Sequence, residues 1–274
     1  LRATDLDIQD FSKVLSCFCM LTYDKRIFNF SETRALDLIA SSKTITHKEF
    51  EPTSFLKDLK QSVCMLIEDG LFLTFVHRSF QEYFTALFII NSNDKVKKKL
   101  TEKFKPYIQL DSVFDLMYEM DPEYIEFEVV LPYIDKLLKD IQIKKKIGVT
   151  HYRRFIKVLW DEFYVLNETV YGSNYKTKNR NKNNILTWII KNIQKFINEE
   201  YSQLFFDVTY GPELTSLLNQ NKESSEKIHL FKTKEVKITN TKFLEIMNSE
   251  GLLSKKTILL LIRVKEKIES KKNI

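Results

Sequence analysis

The 274-residue chain carries 43 basic and 37 acidic side chains, a formal charge of +6 at pH 7. That excess is milder than dedicated nucleic-acid binders concentrate. No apolar run reaches the roughly 18–20 residues of a membrane span, and the N-terminus lacks the basic-then-apolar order of a signal peptide. We therefore expect a cytoplasmic protein with no membrane partner.

Gly and Pro, five of each among 274 residues, fall far below the roughly 12% of average usage, so long helices and few tight turns are expected. Phe (21) and Tyr (12) are numerous enough to fill a substantial core. The length allows one large or two modest domains. Starting at Leu1 rather than Met, the chain reads as a piece of a longer protein. Cys17, Cys19 and Cys64 sit in apolar runs without framework spacing, the pattern of buried thiols in a reducing compartment. Cys17-x-Cys19 is not a structural-zinc spacing, and no metal is expected.

In chain order, Asp10 is expected to cap a helix over 11–24, with Phe11, Val14, Leu15, Phe18 and Leu21 on one face. Ile27–Phe30 is a short strand candidate. Ser31 caps a second helix. Thr46-x-x-Glu49 is a further cap candidate, and Pro52 suits the first turn of a third helix through Phe55, Leu56 and Leu59. Val63–Glu68 and Leu71–Val76 are joined by Asp69-Gly70, a strong hairpin signal because both central residues tolerate positive φ. Helix, short strand, helix, helix, hairpin is the order of a winged helix.

The period then changes. Leu71–His77 reads as a strand, and Phe80, Phe84, Leu87 and Phe88 take the spacing of one helix face. Ser79 and Glu82 stand as a capping box at the switch. The run Phe75-x-His77-x-Ser79-Phe80-Gln81-Glu82-Tyr83-Phe84-x-Ala86 resembles the signature that follows the nucleotide-binding module of NACHT-type signal-transduction (STAND) ATPases, which include animal inflammasome receptors and bacterial anti-phage proteins. Thr85 stands where that family often has Ala. The resemblance covers about residues 5–100 and agrees with the winged helix those proteins carry there. It also implies that a winged-helix histidine contacts the ADP phosphates in the resting state, and His47 lies in roughly that place; the alternative is a surface histidine. His77 reads as structural, Glu82 as a cap and Gln81 as polar packing.

A phosphate-binding loop needs G-x-x-x-x-G-K-[ST]. Gly70, Gly148, Gly172, Gly211 and Gly251 are none of them followed by Lys. This chain is therefore not expected to be an enzyme or to hold a cofactor; the resemblance implies that ATP or ADP and Mg are held by an upstream engine.

Residues 101–274 read as successive helices. Asp111 caps one, Asp121-Pro122-Glu123 starts another, and Leu131-Pro132 interrupts before Tyr133, Ile134, Leu137, Leu138 and Ile141 resume. A long helix is expected over 151–170, another over 184–198, a weak hairpin from 228–231 and 235–239, and a final helix over 253–270. The basic run 173–184, with Lys176, Lys178, Arg180 and Lys182, reads as a solvated loop; nucleic-acid contact is the weaker alternative.

The expected fold is mainly α: a winged-helix domain with a small β-hairpin and exit helix (1–98), then an irregular all-helical domain (99–274). The resemblance implies the regulatory and sensing C-terminal region of a NACHT protein in bacterial antiviral defence. Its partners would be the upstream nucleotide-binding domain, further copies on oligomerisation, and a phage-derived trigger. The alternative is a winged-helix DNA-binding protein reading the major groove through Lys57 and Lys60 of the segment 53–60.

Overall fold

Asp7, not Asp10, starts the first helix. Helix α1 spans Ile8–Asp24, and the Asp7 carboxylate accepts the Asp10 backbone N–H at 2.7 Å. Asp10 itself lies in the first turn, where its charge faces the positive end of the helix. The computed structural model describes residues 2–143, 147–159, 162–166, 169–173, 184–197, 229–232 and 255–272. Mainly α architecture is present throughout them, in two compact units, 1–125 and 126–274.

Unit 1 continues with β1 (Asn29–Phe30) and α2 (Glu32–Thr46), whose Ser31 cap accepts from the Arg34 N–H as expected. Thr46 starts nothing: it ends α2, and its hydroxyl bonds back to the Ser42 carbonyl at 2.7 Å. Helix α3 (Pro52–Lys57) follows, with Pro in its first turn, and runs into a π-turn over Asp58–Ser62. Strands β2 (Leu66–Asp69) and β3 (Phe72–Phe75) then form an antiparallel hairpin.

Asp69 pairs with Phe72, so the turn residues are Gly70 and Leu71, one position later than the Asp69-Gly70 signal suggests. Gly70 alone has positive φ, +60°, as a turn with glycine at its first central position requires. The sheet order is β1-β3-β2, with β2 at an edge. Helix α4 (Arg78–Ile90) leaves β3 almost directly, followed by α5 (Asp94–Phe104), α6 (Val113–Met120) and α7 (Pro122–Ile125). The boundary between units falls after Ile125, beyond the 98/99 division read from sequence; α4 packs against α1, α5 and α6.

The core of unit 1 is aromatic. Phe18, Phe30 and Phe75 meet with ring centroids about 6 Å apart, joining α1 to the sheet, and Phe11 stacks on Phe55 at 4.7 Å. Cys17 and Cys19 are buried as expected. Cys64 is not: it stands exposed with φ +50° in the bend before β2.

Unit 2 opens with a π-turn over Glu126–Val130 that leads without a gap into α8 (Leu131–Ile141). Pro132 thus follows the π-turn directly, so the interruption expected at Leu131-Pro132 is a change of helical pitch rather than a break. Helix α9 (Val149–Leu159) covers only half of the segment where one long helix was expected. The other half forms β4 (Glu162–Leu166) and β5 (Thr169–Ser173), and β6 (His229–Lys232) pairs with β4, giving the order β5-β4-β6. Phe163, Tyr164, Val165, Val170 and Tyr171 suit a strand as well as a helix face, so this part is not all-helical.

The helix expected over 184–198 is two pieces, α10 (Asn184–Lys191) and α11 (Ile193–Ile197). The final helix, α12 (Lys255–Lys271), buries Ile258, Leu261 and Ile268. Lys271 grips the buried Glu126 carboxylate at 2.6 and 2.7 Å, and Lys265 pairs with Asp135 at 2.6 Å. The basic run 174–183 and the strand candidate 235–239 lie outside the described residues.

Candidate functional site at the strand-to-helix joint

The joint is built by a change of backbone, not by a side-chain cap. His77 holds extended dihedrals (φ −135°, ψ 132°), and α4 begins at Arg78 with no side-chain cap bond. The capping box expected from Ser79 and Glu82 does not form. Both already lie inside the first turns of α4, and Glu82 is turned inward to other partners. Ser79 is exposed, and the exposed His77 ring stands edge-on to Phe80 with centroids 6.1 Å apart.

The buried face of α4 is the polar one. Gln81, Glu82, Thr85, Ala86 and Ile89 point inward, whereas Phe80 and Tyr83 are exposed and Phe84, Leu87 and Phe88 only half-buried. Of the face assigned from apolar spacing, Phe84 packs against the core while Phe80 turns outward. Gln81, Glu82 and Thr85 each make hydrogen bonds there, as burial demands, although the Gln81 Oε1 itself is buried without a partner. Gln81 Nε2 donates to Thr22 Oγ1 at 2.9 Å and to the Ile27 carbonyl at 3.1 Å, tying α4 to the end of α1 and the chain before β1. The Thr85 hydroxyl donates to the Gln81 carbonyl at 2.6 Å. Glu82 Oε2 accepts the Ser112 backbone N–H at 3.2 Å, and its Oε1 pairs with Arg78 Nε at 3.0 Å.

Beside Glu82 lies Asp111, whose side chain is 0% exposed. It accepts from the Tyr23 hydroxyl at 2.8 Å, from Arg26 Nη1 at 3.1 Å and from the Val113 N–H at 3.3 Å, with Arg78 Nη2 at 3.7 Å. The Arg26 guanidinium lies 4.4 Å from the Tyr23 ring centroid and 3.6 Å from that of Tyr107, a cation–π contact on two rings. Burial, reinforced by the negative charge of Asp111, pushes the Tyr23 hydroxyl well above the ordinary phenol range, so it remains a donor. Burial pulls against the Arg26 cation, but Tyr23 and Asp111 outweigh it and raise its pKa. The cluster is a set of charge-assisted bonds joining the end of α1, α4 and the start of α6, with Arg26 Nη2 buried and left without a partner. It offers no nucleophile poised beside a base.

The outer surface is apolar. Phe80 and Tyr83 are exposed, and so on the hairpin are Ile67, Leu71 and Phe72, of which Leu71 is 91% and Phe72 54% exposed. Arg78 crosses the Phe28 ring at 4.5 Å. Of the residues singled out from sequence, Phe75, His77, Ser79, Phe80, Gln81, Glu82, Tyr83 and Phe84 share this joint. His47 does not: it caps the C-terminus of α2, exposed, in the left-handed region (φ 54°, ψ 43°). A helix C-terminus carries partial negative charge. The neighbouring cations Lys43 and Lys48 are engaged with Glu49 and Asp10. This is no ready phosphate cradle.

Tyr23, Arg26 and Asp111 were missed as a cluster. The available signal was the demand of Gln81, Glu82 and Thr85 for partners, which periodicity ignores. Among the described residues, no group of three or more His, Cys, Asp or Glu side chains could hold a metal, and no helix is long and apolar enough to cross a membrane.

Residues 120–274, more than half of the chain, match the family model described as Short NACHT-associated C-Terminal domain, family 13. The chain belongs to that family, and it is a C-terminal region of a NACHT protein. No curated protein and no solved structure matches it.

Proposed function

We propose that the chain is the regulatory and sensing region of a NACHT-type NTPase in bacterial antiviral defence. Unit 1 is its winged helix, and unit 2 carries the element that detects a phage-derived trigger. The order α1-β1-α2-α3-β2-β3 with sheet order β1-β3-β2 supports the winged-helix reading. The observation that carries the reading is the division of α4 between a locked polar face and an apolar face left outward. A helix that served only its own unit would bury Phe80 and Tyr83 and leave Gln81 and Glu82 in water. The outward stripe instead suits the nucleotide-binding domain of the same protein, which it would hold in the ADP state until the trigger acts. Release would permit ATP exchange and oligomerisation in the cytoplasm. ATP, ADP and Mg would be held by that upstream domain, and hydrolysis would be its work alone.

The test uses the full-length NACHT protein and a fluorescent ADP analogue. Phe80→Ser with Tyr83→Ser, at sites 38% and 42% exposed, should leave the protein folded, as circular dichroism checks, yet speed ADP release at least tenfold. Unchanged release would refute the docking role. His47→Ala in the same assay tests phosphate contact; a wild-type release rate makes it a surface histidine. DNA binding is the weaker reading. In its candidate reading segment Lys60 pairs with Glu68, which leaves Lys57 as the exposed cation.

A further inference from the structure

The carboxylate of Asp58 is fully buried at the start of the π-turn that ends α3. Among the described residues no basic side chain pairs with it. Its charge is met instead by hydrogen bonds, most of them from the first residues of the chain. Oδ1 accepts the Ala3 N–H at 2.5 Å and the Ser62 hydroxyl at 2.9 Å; Oδ2 accepts the Thr4 N–H at 2.9 Å and the Thr4 hydroxyl at 2.7 Å. Thr4 and Leu6 are buried by this arrangement, and the Arg2 guanidinium lies 5.2 Å from the Phe11 ring centroid.

Three of these four bonds come from a segment with no secondary structure of its own. Such a segment loses little backbone bonding when it leaves, so its attachment is local. The buried charge cannot stay dry without it, because an uncompensated buried carboxylate is costly. Attachment is therefore two-state: either the segment covers Asp58, or water does. The grip reaches further. Asp58 O accepts the Val63 N–H that closes the π-turn at 3.0 Å, Leu59 O accepts the Met65 N–H at 2.8 Å, and Lys60 pairs with Glu68 on β2. The incoming chain is thus tied through one side chain to the turn that leads into the hairpin.

We propose that Arg2–Leu6 is a releasable strap latched by Asp58, and that unlatching is a conformational step built into unit 1. Latched, the chain entering the unit moves with it, and any pivot toward a preceding domain lies before Arg2. Unlatched, five residues become free and add about 17 Å of extended reach. The use of that slack in a nucleotide switch rests on unit 1 being the winged helix that follows a nucleotide-binding domain. The latch does not, and its readout involves no nucleotide, so either proposition can fail visibly without the other.

Hydrogen exchange read by mass spectrometry on the intact chain tests the latch. In Asp58→Asn one acceptor oxygen becomes an NH2 that cannot receive the Thr4 donors. Exchange of the Ala3 and Thr4 amides should rise at least tenfold, while α1 beyond Phe11 and the β2–β3 hairpin keep wild-type protection. Equal exchange in both proteins would overturn the proposal, since packing of Leu6 would then hold the strap. Parallel loss of protection in α1 and the hairpin would overturn it too, making Asp58 an ordinary core group. Should Asp58→Asn fail to fold, Thr4→Val decides. Faster exchange confined to residues 2–6 supports the latch, and unchanged exchange rejects it.

Discussion

Tyr23 and Asp111 lie 88 residues apart in the chain and meet at 2.8 Å, hydroxyl to carboxylate, at the end of α1. Through Arg78 the same carboxylate reaches the motif helix α4, and through Arg26 the chain that follows α1, so one acidic side chain links the ends of three helices.

That arrangement predicts unequal costs. Asp111→Ala strands the Arg26 cation between its tyrosines and should destabilise unit 1 by about 3 kcal/mol, the scale for breaking a buried ion pair. Tyr23→Phe removes one donor and keeps the pair, and should cost about 1 kcal/mol. Urea titrations followed by circular dichroism would rank them. Equal losses would mean that the ring, and not the charge, does the holding.

Gly70 predicts a purely conformational cost. A Cβ placed there meets nothing within 4 Å, so Gly70→Ala creates no clash. Its φ of +60° still disfavours any L side chain, by roughly 1–2 kcal/mol. The neighbouring Leu71→Ser, at the exposed tip, should change stability by less than about 0.5 kcal/mol. A melting comparison of the two variants checks this, with Gly70→Ala expected to lose the more.

The three cysteines should separate chemically. Burial pushes the Cys17 thiol up to about 11, partly offset by a hydrogen bond with Ser42, and raises Cys19 further, helped by its neighbour Cys17. Thiolate is the reactive form, so both should resist iodoacetamide in the folded protein at pH 8. Exposed Cys64 should label within minutes. Mass spectrometry should show one adduct on the native chain and three after denaturation.

Asp58 predicts an acid-sensitive limb. Burial raises its pKa, but the Ala3, Thr4 and Ser62 donors outweigh that and leave it below the ordinary carboxyl value. A depressed carboxyl contributes its full stability above the unfolded value of about 3.9 and loses it as pH falls through the folded value. Protection of the Ala3 and Thr4 amides should therefore be greater in wild type than in Asp58→Asn at pH 7 and pH 5. The gap should narrow below about pH 4. A gap that stays constant down to pH 2 would show that the charge is not what the bonds serve.

How much of this was legible depended on what each side chain has to satisfy. Ser31 and Pro52 act within one turn of their own position, and both were read correctly from sequence. So was the hairpin, to within a residue, because Gly70 tolerates what its neighbours do not. Helix α4 was placed, but its buried face was only partly foreseen: Phe84 packs on the core and Phe80 does not. Apolar spacing through Phe80, Phe84 and Phe88 describes a greasy face without saying whether that face looks inward. Gln81 and Glu82 settle the matter only through Thr22, Ile27 and Ser112, which are distant in sequence. Helix α9 and strand β4 show the other failure: Phe155 and Phe163 fit one helical stripe on paper, yet Phe163-Tyr164-Val165 pairs as a strand once β5 and β6 are there to receive it. Asp111 was read as a helix cap, and it does accept the Val113 N–H, but its second oxygen has the larger role.

The three-stranded sheet of unit 1 also governs how the molecule behaves in a crowd. An open sheet border invites foreign strands to add on, and native proteins blunt such borders with brevity or charge. Here β1 is only two residues long, and β2 places Glu68 and Asp69 beside the exposed Ile67. The like charges repel an approaching copy, and Lys60 occupies the Glu68 carboxylate from within. Stripped of those two acids, the same border would become a seed for fibrous stacking, which makes them guardians of solubility.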